Sequence, residues 1–145
     1  MKKTLQNILV LGAKSDIAAA TARLYAEQSL NLTLAARETD SLEIIKEDLL
    51  IRSAVNVDLV EVNLESVKSI KTFLKNLDPL PDLVLCAVGY LGEQSRTEKD
   101  FKEMERVIKA NLTGPAMIFE TLAQSMMERG SVSYTHLTLP TILLV

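Results

Sequence analysis

Cysteine occurs once in the 145 residues, at Cys86, and histidine once, at His136. A single cysteine excludes an internal disulfide and fits a reducing cytoplasm. One Cys with one His also leaves no ligand set for a zinc-type centre, so no metal is expected. No apolar run is long enough to cross a bilayer, and the N-terminus has no apolar signal-peptide core. Basic charge is not in excess: 16 Lys and Arg stand against 19 Asp and Glu, a net charge of −3. An electrostatic footprint for nucleic acid is therefore missing. No internal repeat and no interdomain linker divides the chain. What is present, 48% hydrophobic and 24% charged residues, suits a single globular domain with a real core.

The stretch Ile8 to Ala18, Ile-Leu-Val-Leu-Gly-Ala-Lys-Ser-Asp-Ile-Ala, organises the rest. Four apolar residues end in Gly12, a short polar turn follows, and a helical pattern begins at Ile17. A buried parallel strand turning sharply into a helix has this form. The helix start presents unpaired N–H groups and a positive dipole end, where a phosphate can sit, and Gly12 permits the tight turn. The further glycines of a dinucleotide fingerprint are absent, Asp16 and Ala18 standing at their positions. Lys14-Ser15 looks like the end of a P-loop, but Ala13 precedes it and Ile8 occupies the upstream glycine position. A strand–turn–helix without any ligand shares the remaining pattern.

The chain in order predicts β-α-β-α-β-α-β-α. Strands are expected over Asn7–Leu11, Asn31–Ala36, Val57–Val62 and Asp82–Val88. A first helix is expected over Asp16–Gln28, with Asp16 as N-cap and Ile17, Ala20 and Leu24 as its apolar stripe. Asp16 places a negative charge where a pyrophosphate would sit, which Lys14 offsets. Asp40 and Glu43 form a capping box for a second helix to about Ser53, with Leu42, Ile45 and Leu49 inward. Val67, Ile70, Leu74 and Leu77 mark a third, stopped by Pro79 and Pro81. Phe101, Met104 and Ile108 begin another, which Asn111 and Gly114-Pro115 interrupt. Ile118, Leu122 and Met126 carry a last stripe to Arg129, with Gly130 as its stop. Strands alternating with helices imply a parallel sheet covered on both faces.

These residues resemble the short-chain dehydrogenase/reductase family over about Lys3 to Gly130. Leu11 to Ala18 is similar to the family's glycine-rich turn with only its first glycine kept. Ala35-Ala36-Arg37 resembles the second-strand end of members that favour NADP. Cys86-Ala87-Val88-Gly89 stands where the family has Asn-Asn-Ala-Gly, and Asn111-Leu-Thr-Gly114 matches the helix asparagine of its catalytic tetrad. Val88 to Gly92 also resembles a keto-reductase subgroup, some of whose members act on lipid-linked sugars. The resemblance implies an α/β Rossmann-like three-layer sandwich with sheet order 3-2-1-4. It assigns cofactor contacts to Gly12, Lys14, Ser15, Asp16, Ile17, Arg37, Asn63, Leu64, Ala87, Val88 and Gly89, and a catalytic role to Asn111. It implies hydride transfer between a nicotinamide, NADP before NAD, and a small-molecule carbonyl or alcohol, in a homo-oligomeric full-length protein.

Each residue also has a plainer reading: Arg37 as a solvated strand-end charge, Asn63 as a loop residue, Cys86 as a buried thiol, Asn111 as a helix interruption. Lys102 and Lys109 read as solvated helix faces. In the family a Tyr acts as general acid/base, a Lys lowers its pKa and a Ser polarises the carbonyl. None of the three tyrosines here is followed by Lys four positions on. The resemblance therefore implies a half-domain, residues 1–130, that is catalytically silent alone. Residues 132–141, Val-Ser-Tyr-Thr-His-Leu-Thr-Leu-Pro-Thr, read as one frame of a transposon-type sequencing adapter, so 131–145 are expected to be a non-native tail. Tyr134 and His136 are set aside as catalytic candidates on that ground. The tail is nevertheless able to extend beside the fourth strand, covering its apolar edge. Two functions fit: an oxidoreductase fragment, or a non-catalytic dinucleotide-binding module that regulates a partner.

Overall fold

The computed structural model describes residues 5–93, 95 and 98–129, and the backbone of 134–136. Its strands are β1 (Asn7–Leu11), β2 (Asn31–Ala36), β3 (Val57–Glu61), β4 (Leu83–Cys86) and β5 (Tyr134–His136). They form one sheet in the order β3-β2-β1-β4-β5, parallel at every pairing. The expected 3-2-1-4 order is thus present. β5 extends it, with Val84 opposite Tyr134 and Cys86 opposite His136.

Between the strands run α1 (Asp16–Glu27), a 3₁₀ turn (Thr39–Leu42) leading into α2 (Glu43–Arg52), and α3 (Val67–Asn76). After β4 come α4 (Phe101–Ile108), a π-helical segment (Lys109–Thr113) and α5 (Gly114–Glu128).

The period-2 alternation of β1 divides the core into two layers. Ile8 and Val10, with Leu32, Leu34, Leu83 and Leu85, face Ala18, Ala22, Ala26, Leu42 and Leu49 of the α1–α2 side. Leu9 and Leu11, with Ala35, Val84 and Cys86, face Ile70, Phe73, Ile118, Leu122 and Met126 of the α3–α5 side. Each large aliphatic side chain removed from water stabilises the fold by about 1.5–3 kcal/mol. The inner strands β1 and β4 read as continuous apolar runs because both of their faces are covered, whereas β3 carries Asp58 and Glu61.

Several expectations are corrected. The N-cap of α1 is Ser15, whose Oγ accepts from the Ala18 N–H at 3.4 Å; Asp16 is the first helical residue. The inward stripe of α1 is Ala18, Ala22 and Ala26, whereas Ile17 and Leu24 are exposed. Methyl groups at i, i+4 and i+8 let the helix lie close to the sheet, and longer side chains there would hold it off. No capping box forms at α2: Leu42 is its N-cap position, without a side-chain cap. On α3, Phe73 is buried beside Ile70 and Val67 is exposed. The expected interruption at Asn111 and Gly114-Pro115 is present as the π-helical segment Lys109–Thr113, after which Pro115 sits in the first turn of α5. No residue of α4 is buried. Gly130 lies outside the described residues.

Candidate functional site

The carboxyl ends of the strands converge on a cleft of about 530 Å3. It opens where the strand order reverses, since β1 is flanked by β2 on one side and β4 on the other. That is the place where open parallel sheets bind ligands. Gly12 forms its floor. It has φ +76°, and a Cβ there would lie 2.8 Å from the backbone of Ala87 and Val88, so a side chain is excluded twice over. The turn is tied down by Gly12 N–H donating to Ala35 O at 2.9 Å and Ser15 N–H donating to Gly12 O at 3.0 Å. These bonds aim the start of α1, twelve residues long, at the cleft.

The structure brings together Gly12, Lys14, Ser15, Arg37, Asn63, Leu64, Ala87, Val88 and Gly89 of the expected residues. Asp16 and Ile17 do not line the cavity, and neither does Asn111. Asp16 is exposed on the outer side of the first turn. Lys14 does not offset it; its Nζ lies 3.7 Å from Glu38 Oε2.

Asn63 owes its position to its own loop. Its Oδ1 accepts from the Glu65 N–H at 3.0 Å, and its N–H donates to Ser69 Oγ at 2.9 Å. Asn is suited to such a turn, and the bend delivers both Asn63 and Glu65 to the cleft. Asn111 works on the opposite wall. Its Oδ1 accepts from the Tyr90 N–H at 2.7 Å and its Nδ2 donates to Tyr90 O at 2.6 Å. One side-chain amide thus holds both backbone groups of the residue after Gly89.

Sequence reasoning missed Glu38, Glu65 and Tyr90, together with the apolar liners Ala36, Val62 and Ala110. Glu65 is the centre of a charged cluster at the rim. Its Oε1 accepts from Arg37 Nη1 at 2.9 Å, and its Oε2 from Arg106 Nε at 2.9 Å. Arg106 also donates through Nη1 to Glu103 Oε2 at 3.1 Å. The Tyr90 hydroxyl donates to Glu103 Oε1 at 2.5 Å. Both guanidiniums lie over the Tyr90 ring, at 5.9 Å for Arg37 and 5.1 Å for Arg106, within the range of a cation–π contact. The Arg106 hydrogen bonds hold the Glu65 carboxyl below the usual carboxylate range, against a burial that pushes the other way. The bond to Glu103 pushes the Tyr90 phenol up. Burial raises the Cys86 thiol, which is packed in the α3–α5 layer of the core and does not line the cleft. Two signals pointed towards these residues: Tyr90 directly follows the Cys-Ala-Val-Gly motif, and Glu65 is two residues past Asn63.

The chain matches the family model described as short chain dehydrogenase over residues 6–133. It is 26% identical over 125 residues to an uncharacterized oxidoreductase of Thermotoga maritima, covering 84% of this chain and 48% of that one. It is 32% identical over 127 residues to a glycine betaine reductase of Emericella nidulans, covering 84% of this chain and 10% of that one. The chain therefore spans half or less of the curated relatives it matches. Among solved structures it superposes on a short-chain dehydrogenase from Sphingobium yanoikuyae in complex with NADPH. The TM-score is 0.82 at 21% identity, over 91% of this chain and 53% of that one. A bulky-bulky ketone specific alcohol dehydrogenase from Comamonas testosteroni gives 0.79 at 22% identity, over 90% and 53%. The sheet order, the cleft at its switch point and the family match agree: the chain belongs to the short chain dehydrogenase family.

Proposed function

We propose that this chain is the cofactor-binding half of an oxidoreductase that moves a hydride between a nicotinamide and a small-molecule carbonyl or alcohol, and that it takes NADP in preference to NAD. The observation that supports this most is the cleft itself. A glycine floor, a helix N-terminus and two cationic side chains, Lys14 and Arg37, are gathered at the switch point of the sheet. These residues suit a dinucleotide. The α1 N-terminus offers donors and positive potential to a pyrophosphate. Asn63 keeps its Nδ2 without a hydrogen bond among the described residues and offers it to a base edge. Arg37 presents a planar fork suited to a ribose 2′-phosphate. The carboxylate of Glu38 in the same cleft suits a ribose hydroxyl. The solved relative from Sphingobium yanoikuyae carries NADPH.

When bound, the nicotinamide supplies the hydride chemistry. The residues of this chain bind and orient it. Asn111 fixes the Tyr90 backbone and with it the wall beyond Gly89. No tyrosine is paired with a lysine four positions on, so the 145 residues hold no matched proton donor for a carbonyl. Ketone reduction by these residues alone is therefore expected to be nil. The same reading takes 1–130 as the cofactor-binding unit and 131–145 as extraneous to it.

The test is a titration of the chain and of Arg37→Ala with NADPH and with NADH, followed by nicotinamide fluorescence. NADPH is expected to bind more tightly, and Arg37→Ala to weaken it roughly 10- to 100-fold, the value of a charge-assisted hydrogen bond. Equal affinities, or an unchanged preference in Arg37→Ala, would overturn the reading.

A further inference from the structure

Both cations that line the cleft already carry a carboxylate that lines the same cleft: Lys14 pairs with Glu38 and Arg37 with Glu65. A phosphate approaching Arg37 therefore meets a guanidinium that is already engaged. The two arginines on Glu65 are not held alike. Arg106 makes three hydrogen bonds to two carboxylates, at 2.9 and 3.4 Å to Glu65 and 3.1 Å to Glu103. Arg37 makes one, at 2.9 Å. Arg106 is thus fixed in a frame that also holds the Tyr90 hydroxyl, while Arg37 is the partner able to leave. When it leaves, the Glu65 carboxylate is not stranded, because Arg106 continues to satisfy both of its oxygens.

Resting on the reading of Arg37 above, we propose that Glu65 is an internal competitor for the cofactor phosphate and a determinant of cofactor discrimination, and that Arg106 makes the exchange feasible by retaining Glu65 when Arg37 turns to the ligand. Glu65 then opposes binding of the 2′-phosphorylated cofactor and leaves the unphosphorylated one untouched, since a 2′-hydroxyl makes no demand on Arg37. Removing Arg106 leaves Arg37 as the remaining guanidinium on Glu65 and strengthens the competition.

The experiment measures NADPH and NADH affinities for Glu65→Gln, Arg106→Gln and the double variant, beside Arg37→Ala. Glu65→Gln is expected to tighten NADPH about threefold, in the range of a half-exposed ion pair, with NADH unchanged; the unchanged NADH value doubles as a check that the cleft is intact. Arg106→Gln is expected to weaken NADPH by a similar factor. In the Glu65→Gln background, Arg106→Gln is expected to have no further effect, because the competitor is gone. Additive effects of the two substitutions, or parallel shifts for NADH, would show a general charge effect and overturn the proposal. If Arg37→Ala weakens NADPH and Glu65→Gln does nothing, this inference fails while the cofactor reading stands. If Arg37→Ala does nothing, the cofactor reading fails first.

Discussion

Among the described residues two carboxylates, Asp48 and Glu65, are each shared by two arginines, and of these Glu65 lines the cleft. Asp48 on α2 accepts from Arg23 of α1 and Arg52 one turn on, with arginine side chains 46% and 67% exposed. Glu65 accepts from Arg37 and Arg106, whose side chains are 49% and 44% exposed, and is itself only 17% exposed against 27% for Asp48. The chemistry is the same, and in both the arginines lower the carboxyl's pKa. The surroundings differ. Asp48 joins two helices on the outer surface, where ion pairs contribute little. Glu65 stands at the mouth of a cavity on a loop braced by Asn63, with an aromatic ring under both guanidiniums. Similar ion pairs thus border open solvent in one case and the mouth of a cavity in the other.

Moving the backbone that carries Glu65 is expected to separate the two clusters most strongly. A Cβ on Gly114 would lie 2.3 Å from Leu64 O and 2.7 Å from Leu64 Cβ. Gly114→Ala must displace the segment bearing Glu65 and leaves the Asp48 cluster alone. Overpacking outweighs the gain in helix propensity, for a net loss of about 2 kcal/mol in denaturant unfolding. An unchanged midpoint would show that the loop gives way freely.

Next in size is the loss of the Tyr90 anchor. Asn111→Ala removes both bonds to the Tyr90 backbone. The Tyr90 amide is expected to exchange with solvent about tenfold faster, corresponding to one net hydrogen bond. Amides of β1, such as Leu9, serve as the unaffected reference.

Acidity gives a subtler contrast within the cluster, because its two ends titrate in opposite senses. The Glu65 carboxyl is depressed, so its contribution is complete above the ordinary carboxylate range and is lost as pH falls through its lowered value. The Tyr90 phenol is raised, first by its bond to Glu103. Its contribution is complete below the ordinary phenol value of about 10 and is lost as pH rises through the raised one. In tyrosinate absorbance the phenol lost in Tyr90→Phe is expected to titrate above 10, and Glu103→Gln to bring it down. A Tyr90 titration unmoved by Glu103→Gln would contradict the bond.

The smallest effect is expected at the control. Asp48→Asn removes an exposed, shared carboxylate and is expected to change NADPH affinity by less than about twofold. A change as large as that of Glu65→Gln would dissolve the distinction between the two clusters.

The sequence made the sheet legible because its signal is local. β1 and β2 fall where the apolar runs and Gly12 put them, and strands alternating with helices imply the parallel sheet, while its order 3-2-1-4 came from the family resemblance. The floor of the cleft was legible for the same reason: one glycine, one polar turn, one helix start. Helix faces were less so. Apolar spacing at Phe101, Met104 and Ile108 reported a helix, yet these side chains are exposed, since periodicity records an amphipathic face and not what covers it. On α1 large residues suggested one face and small ones occupy the other, a choice made by the sheet's proximity. The rim was the least legible. Glu65 and Arg106 are 41 positions apart, and no pattern within either segment marks them as partners. Only the fold, by setting α4 against the β3–α3 loop, brings them together.

Occupation of the cleft at the ends of β1, β2 and β4 by a phosphorylated dinucleotide is open to backbone amide chemical-shift mapping with NADP. Shifts are expected to concentrate at Gly12 and Ser15, at Arg37, at Asn63 to Glu65 and at Val88 to Tyr90, with Asp48 and its neighbours unmoved. Shifts absent from these residues at saturating NADP, or concentrated instead on the outer groove of Val60, Lys68 and Thr72, would contradict it.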